Sequence, residues 1–356
     1  PKRFDICVLG LGATGYATAA FCAHRKMRVC VTDDRAEPPL LDRLIRDLPS
    51  VEIAVGEYNH AMILTAKRVV ISPGIAPSHP VIEFMRSEGI PFCSDIDIFL
   101  EHCSVPSIAI TGSNGKSTVV KLLYDTLSAD GKRCVMLGNI GKPALSILLE
   151  DTISYDWVVL ELSSFQLFWT QNIKVSVGAV VNIFPNHLNW HKDWQCYVES
   201  KLKLVDAADS LVCSVGIKDL VAQKAKGEKI HWISDEQSMV AQDFEDPHLM
   251  TLLPETLRVH ALLAMKILSL LGVSLLVQRQ ALLDFRPWPY RCQLEPIKYG
   301  HWYNDAKSSN LAAARYALSN IYRKHEKKVL WIAGGLTKQE DFSQLGAWVA
   351  TYVQHA

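Results

Sequence analysis

A lysine set just past a turn of small residues can meet phosphate, and Lys116 stands in such a place. The apolar run 108–110 stops at Thr111-Gly112-Ser113-Asn114-Gly115, and a helix-compatible segment extends from Lys116 to about Leu127. That order is a buried strand, a loop and a helix N-terminus. Backbone N–H groups turned into the loop and the helix dipole both favour an anion there. Lys116 can reach terminal phosphates, and the Ser117 hydroxyl can bind Mg²⁺. The residues predicted to touch ATP are therefore Ser113, Asn114, Gly115, Lys116, Ser117 and Thr118. The spacing departs from the strict P-loop, because Ile110 stands five places before Gly115, where that pattern has glycine. The bland alternative is an ordinary glycine turn before a helix.

Other residues could share that chemistry. Glu161 ends the apolar run 157–160. A carboxylate there is costly to bury without a positive partner. A magnesium ion on ATP phosphates is one candidate, since hard cations take oxygen ligands; a structural salt bridge is the alternative. His187 follows the strand-like run 175–183, a position suited to ligand work in an open α/β sheet, although a lone histidine there is more often structural. Asn139, in a loop of turn residues, could donate to a ligand oxygen or merely stabilise the turn. Lys201 lies on a helix-like run 197–205, and residue physics alone makes it a solvated surface lysine.

Near the start, Gly10-x-Gly12-x-x-Gly15 links the strands read at 6–9 and 29–32, and Asp33 ends the second. This βαβ pattern suits a phosphate-bearing ligand, and NAD with Asp33 on a ribose hydroxyl is the obvious reading. A further strand, 69–71, leads to Ser72-Pro73-Gly74. More strands are expected at 134–137, 211–214 and 329–333, with an apolar helix at 262–271 and a polar, irregular stretch at 222–245.

The elements that must hold these residues read as α/β. The chain has 356 residues, 49% of them hydrophobic, enough for two or three domains. Lys plus Arg and Asp plus Glu both total 37, so no basic excess points to nucleic acid. No uninterrupted apolar stretch has membrane-spanning length. Nine scattered cysteines without a Cys-x-x-Cys pair suit a reduced, cytoplasmic protein better than a disulfide framework.

The run Thr111-Gly-Ser-Asn-Gly-Lys-Ser117 resembles the ATP loop of the Mur ligases, which join amino acids to a growing cell-wall precursor. Glu161-Leu-Ser-Ser-Phe-Gln166 resembles the branch of that family that adds D-glutamate, and the other motifs follow in the family's order. The resemblance implies three domains. Residues 1–103 would form a Rossmann-like UDP-sugar domain and 104–294 a central P-loop-type ATPase with a parallel sheet. Residues 295–356 would begin a Rossmann-like amino-acid-binding domain, expected to be incomplete because about sixty residues are few for an α/β unit.

The implied activity is ATP-dependent amide-bond formation between UDP-N-acetylmuramoyl-L-alanine and D-glutamate, through an acyl phosphate, in a cytoplasmic monomer. On this resemblance UDP replaces NAD at the glycine loop. Ala13 and Thr14 would lie by the diphosphate, Asp34 and Arg35 by the uracil, and Ser72 and Gly74 on the substrate loop. Asn139, Ser163 and Gln166 would also face substrate. Two magnesium sites are implied. Ser117 and Glu161 would hold one ion; His187 and Lys201, carbamylated by CO₂, would hold the other. Asn186 and Asn189 stand where the family has Asp. His260 would approach adenine, Arg291 of Pro289-Tyr290-Arg291 the ATP ribose and adenine, and Asp305 the nucleotide. Asp305 could equally be a helix N-cap. Lys307, Ser309 and Lys338 would serve phosphate transfer and the incoming amino acid, with Leu336 and Thr337 as departures. Two rivals stand beside this reading. A folylpolyglutamate-type ligase would share the ATPase without needing the first domain, and a nucleotide-binding relative impaired in catalysis would fit the departures.

Overall fold

The computed structural model describes residues 3–150, 152, 154–222, 224, 229–234, 255–335, 343 and 345–355. Two parallel sheets organise most of them. The first contains β1 (Phe4–Leu9), β2 (Val29–Asp33), β3 (Glu52–Val55), β4 (Ala66–Ile71) and β5 (Phe92–Cys93), ordered β3-β2-β1-β4-β5. Every residue of β2 is buried, as expected of a parallel strand covered on both faces. Strand order reverses between β1 and β4, and this is where a crevice opens at the C-terminal ends of a parallel sheet. The loop after β1 holds Gly10; the loop after β4 holds Ser72, whose Oγ donates to Gly10 O at 3.0 Å.

Gly15 explains why the first turn of the helix Ala13–His24 can press on this loop. A Cβ at Gly15 would sit 1.9 Å from the Gly10 carbonyl oxygen, a backbone atom with little room to yield. Alanine is the better helix former, yet Gly15→Ala is expected to destabilise the protein by about 1–3 kcal/mol through overpacking. Urea unfolding measures this; an unchanged midpoint would contradict the close approach.

The second sheet contains β6 (Ser107–Thr111), β7 (Cys134–Gly138), β8 (Trp157–Glu161), β9 (Val175–Val180), β10 (Ala208–Ser214) and β11 (Ile230–Ile233), ordered β11-β10-β9-β6-β8-β7 and parallel throughout. Side chains of β6 alternate between two cores. Ile108 and Ile110 pack with Val119 and Leu123 of the helix Lys116–Ala129 and with Leu263 of the helix Glu255–Leu270. Ala109 lies in the core that holds Leu204 and Val205 of the helix Trp194–Ala207. Register sets Ile110 beside both Glu161 and Ala179, so the loops after β6, β8 and β9 gather at one edge.

The two sheets are joined by polar and aromatic contacts. Asp97 Oδ1 accepts from the backbone of Gln171 and Asn172 at 2.9 and 2.7 Å, and Ser94 Oγ meets Thr170 Oγ1 at 2.9 Å. Trp169 is buried among first-sheet residues, edge-on to Phe92. Beyond the second sheet come an antiparallel pair, β12 (Gln293–Glu295) with β13 (Trp302–Asn304), and the helix Leu311–His325. A short parallel pair, β14 (Val329–Leu330) with β15 (Val353–His355), follows.

Several expectations are corrected. The strand read at 175–183 ends at Val180, because the next residues turn to bond the loop at Ser113 and Asn114. The helix read at 262–271 begins at Glu255, so His260 is helical rather than on a preceding loop. The stretch read as irregular contains β11, while 235–250 lie outside the described residues. The strand read at 329–333 pairs only at Val329 and Leu330. Among the described residues, no helix is long and apolar enough to cross a membrane.

Candidate active site

The loop between β6 and the helix Lys116–Ala129 has the shape its residues predict. Gly112 and Gly115 have φ values of +156° and +79°, which non-glycine side chains resist. Gly115 also makes room for another element, since a Cβ there would lie 2.0 Å from His260 Nε2. The helix Glu255–Leu270 thus delivers His260 directly onto the loop.

Two lysines meet beneath it. Lys116 Nζ donates to Gly112 O at 2.8 Å and to Ser113 O at 3.2 Å. Lys201 Nζ donates to the same Gly112 O at 2.8 Å. Lys201 is 1% exposed, which overturns the surface reading of the residue. Burial, then the nearby Lys116 charge, pushes the Lys201 amine well below its usual range, with Glu161 opposing. Burial also lowers Lys116, and Arg291 adds to that effect. Tyr197, one helical turn before Lys201, places its ring 4.8 Å from the ammonium and its hydroxyl 2.6 Å from Ser113 Oγ. The sequence reading missed Tyr197, although its spacing of four from Lys201 puts both on one helix face.

Glu161 is 2% exposed at the end of β8. Its Oε1 accepts from Asn139 Nδ2 at 2.6 Å, while Oε2 is buried without a hydrogen-bond partner. No structural salt bridge accounts for it among the described residues. A buried carboxylate oxygen left bare, beside a helix N-terminus bearing the Ser117 hydroxyl, is a suitable pair of donors for a hard divalent cation. Ser117 Oγ here accepts from Arg291 Nη2 at 3.1 Å, and Ser117 O accepts from Trp288 Nε1 at 3.2 Å. The segment containing Pro289-Tyr290-Arg291 therefore reaches the start of the helix that follows the ATP loop.

The second ion's predicted ligands are less complete. His187 adopts φ +56°, and its ring meets Phe165 edge-on at 4.8 Å. Lys201 faces Gly112 O as an amine, so it offers no anionic oxygen as it stands. Asn186 is 3% exposed, and its Oδ1 is buried without a partner. Among the described residues no three His, Cys, Asp or Glu side chains converge as a ready-made ion cage.

Some predicted contacts prove to be held by the protein itself. Ser113 Oγ bonds Phe184 N and O as well as Tyr197, leaving its side chain fully engaged. Ser163 and Gln166 form a capping box at the start of the helix Ser164–Trp169, each side chain bonding the other's backbone N–H. That local pairing fixes both side chains at the helix start. Asp305 is not an N-cap. It accepts from Cys292 N and from Ser308 Oγ, and Asn310 caps the following helix. Asn310 also exchanges amide hydrogen bonds with Asn114, one of them 2.8 Å long, a clasp onto the loop that sequence reading did not single out. Asn114 N in turn donates to Asn182 Oδ1 at 2.9 Å. Thr118 is partly buried in the first helical turn. Lys307 and Ser309 are exposed on the linker before that capped helix, and Lys338 lies outside the described residues.

At the first sheet, Asp33 is 1% exposed and already bonded. Its carboxylate accepts from Leu11 N at 2.6 Å and from the Arg35 backbone and guanidinium at 2.6–2.9 Å. Burial alone would raise this carboxyl, but the Arg35 and Leu11 bonds leave it below its usual range. Asp33 is thus not free to take a ribose hydroxyl, which removes the support for NAD. Ala13 is exposed at the helix start, with Thr14 beside it, and no side chain caps that helix. Asp34 and Arg35 lie on the exposed rim, Asp34 with His79 Nε2 at 3.4 Å. Gly74 is exposed on the facing turn.

Comparison with known proteins agrees with this layout. Residues 4–94 match the family model for the Mur ligase MurD-like N-terminal domain, and residues 110–245 match the Mur ligase middle domain. The chain is 34% identical over 371 residues to a UDP-N-acetylmuramoylalanine–D-glutamate ligase of Alcanivorax borkumensis, covering 99% of this chain and 82% of that protein. It is 32% identical over 367 residues to the enzyme of that name from Pasteurella multocida, covering 98% and 81%. Among solved structures, the UDP-N-acetylmuramate–alanine ligase of Thermotoga maritima matches with a TM-score of 0.55 at 17% identity, covering 92% of this chain and 79% of that one. With its two parallel sheets, its ATP-type loop and these relatives, the chain belongs to the Mur ligase family.

Proposed function

We propose that this protein forms an amide bond between the alanyl carboxylate of UDP-N-acetylmuramoyl-L-alanine and the amine of D-glutamate, driven by ATP. The observation that carries the reading is the meeting of Lys116, Lys201 and the bare Glu161 oxygen under one glycine turn. The names of the relatives supply the two substrates. In this reading residues 1–103 bind the sugar nucleotide, 104–294 bind ATP, and 295–356 belong to the amino-acid domain.

Phosphoryl transfer needs positioning and charge neutralisation more than covalent help from the protein. The substrate carboxylate attacks the γ-phosphorus of ATP, giving an acyl phosphate and ADP. The D-glutamate amine then attacks the acyl carbon, and inorganic phosphate leaves. Lys116 swings from its two carbonyl partners to the terminal phosphates. The loop N–H groups and the helix start hold the phosphate oxygens. His260 and Arg291 orient the nucleoside, and Asn139 fixes the Glu161 carboxylate. Ser117 and Glu161 would hold Mg²⁺, which when bound neutralises triphosphate charge. His187 and a carbamylated Lys201 would hold a second ion. At the first sheet, Ala13 and Thr14 take the diphosphate, Asp34 and Arg35 the base, with Ser72 and Gly74 across the crevice. Closure of the last segment brings Lys307 and Ser309 to the amino acid. All nine cysteines are unpaired, in keeping with a reducing, cytoplasmic setting.

The test is phosphate release over a panel of amino acids. Release is expected only when ATP, the sugar nucleotide and D-glutamate are all present. Equal release with other amino acids, or none with D-glutamate, would overturn the assignment.

A further inference from the structure

Two indole N–H groups, one from the helix Ser164–Trp169 and one from the turn after His187, cross to the turn after β4. Trp190 Nε1 donates to Gly74 O at 3.2 Å, and Trp169 Nε1 donates to Ile75 O at 3.1 Å. Trp169 is 1% exposed and belongs to the first sheet's core, so it acts as a fixed post. Trp190 differs, being only partly buried and sharing a turn with His187. The backbone N–H groups of Trp190 and His191 both donate to His187 O at 3.0 Å. Phe165 stacks on Trp190 at 4.2 Å with an interplanar angle of 25°, and meets the His187 ring at 4.8 Å. At the far end, Ser72 ties the same β4 turn to Gly10. A continuous run of contacts therefore leads from the glycine loop through Ser72, Gly74, Trp190 and Phe165 to His187. The left-handed backbone of His187 is uncommon for a residue other than glycine, and these neighbours hold it.

We infer that Trp190 is a positioning residue that couples occupancy of the glycine-loop crevice to the placement of His187, three residues past the Phe184 that bonds Ser113 of the ATP loop. The inference rests on the proposed function for the identity of the crevice ligand. A sugar nucleotide lying between the Gly10 and Ser72 loops fixes the turn that carries Gly74 O. Trp190 is bonded to that oxygen and shares its own turn with His187, so ordering one end orders the other. Coupling between two binding sites is reciprocal, so a nucleotide at the ATP loop strengthens sugar-nucleotide binding by the same factor.

Trp190→Phe keeps an aromatic ring on Phe165 and removes only the N–H. Calorimetry with the full chain measures affinity for a non-hydrolysable ATP analogue, with and without saturating UDP-N-acetylmuramoyl-L-alanine. In the wild type the sugar nucleotide is expected to tighten analogue binding by about 5–10-fold. In Trp190→Phe that ratio is expected to fall below about 2-fold, while affinity for the analogue alone is unchanged. A tryptophan that merely supported the fold would weaken both measurements together and leave the ratio alone. Phe165→Leu is the second variant; it breaks the ring stack, leaves the Gly74 bond, and is expected to lose the ratio as well. It decides the question should Trp190→Phe fail to fold. A wild-type ratio retained in either folded variant overturns the coupling alone. A wild-type analogue affinity unchanged by bound sugar nucleotide likewise overturns the coupling alone, whereas no heat of sugar-nucleotide binding at all overturns the substrate reading.

Discussion

Lys201→Ala is expected to lower ligase turnover by about 10²–10³-fold, the cost of losing one preorganised charged group at a phosphoryl-transfer site. Added formate or acetate is expected to restore part of it. The argument begins with burial. Lys201 is 1% exposed and its amine bonds Gly112 O, in range of the Lys116 charge. Both burial and Lys116 disfavour the ammonium, so the neutral amine is available at lower pH than for a free lysine. Its lone pair can attack CO₂, lose a proton and become a carbamate, replacing a cation by an anionic oxygen donor. That change would remove the clash with Lys116 and would supply an anionic oxygen to the proposed second ion site. The sign with pH follows, because protonation of Lys201 competes with CO₂. Carbamate formation should fall as pH drops through the depressed pKa. Labelled ¹³CO₂ and carbon NMR detect the adduct directly. A Lys201→Ala enzyme of normal activity, or one indifferent to short carboxylates, would remove the carbamate from the mechanism.

The contrast between Lys116 and Lys201 shows what a chain reveals before it folds. Lys116 is legible because its chemistry is local; the glycines, the lysine and the helix start are adjacent in sequence. Lys201 is not, because its partner Gly112 is 89 positions away and the wall around it includes Tyr197 and Lys116. Periodicity placed it on a helix but could not say which face met the loop. Strands β1, β2, β6 and β8 were readable as unbroken apolar runs, the mark of parallel strands covered on both faces. Strand β3 was not, since its residues are partly exposed at a sheet edge. Ser163 and Gln166 carry a second, local signal that the sequence reading passed over: their spacing is a capping box, which sets the start of the helix Ser164–Trp169. Asp33 misleads, since the acidic residue that ends β2 holds the loop and Arg35 rather than a ribose. The Asn114–Asn310 clasp joins residues 196 apart and leaves no local trace.

Lys116→Ala is expected to reduce turnover by at least about 10³-fold, because a charge held against the transferring phosphoryl group stabilises the transition state more than the ground state. In the structure its Nζ rests on Gly112 O and Ser113 O, two neutral acceptors within reach of the loop's phosphate-facing side. Burial pushes its pKa down, Glu161 opposes that and Arg291 adds to it; an arriving triphosphate would favour the ammonium. Lys116→Arg tests geometry apart from charge. A planar guanidinium is bulkier than an ammonium and cannot act as a compact point charge, so Lys116→Arg is expected to remain impaired. Sugar-nucleotide binding, followed by tryptophan fluorescence, should be unchanged in both variants, since the glycine-loop crevice belongs to the other sheet. Single-turnover acyl-phosphate formation, trapped by borohydride reduction, isolates the step. Near-normal trapping in Lys116→Ala would mean that this lysine serves the fold of the loop and not the transfer of phosphate.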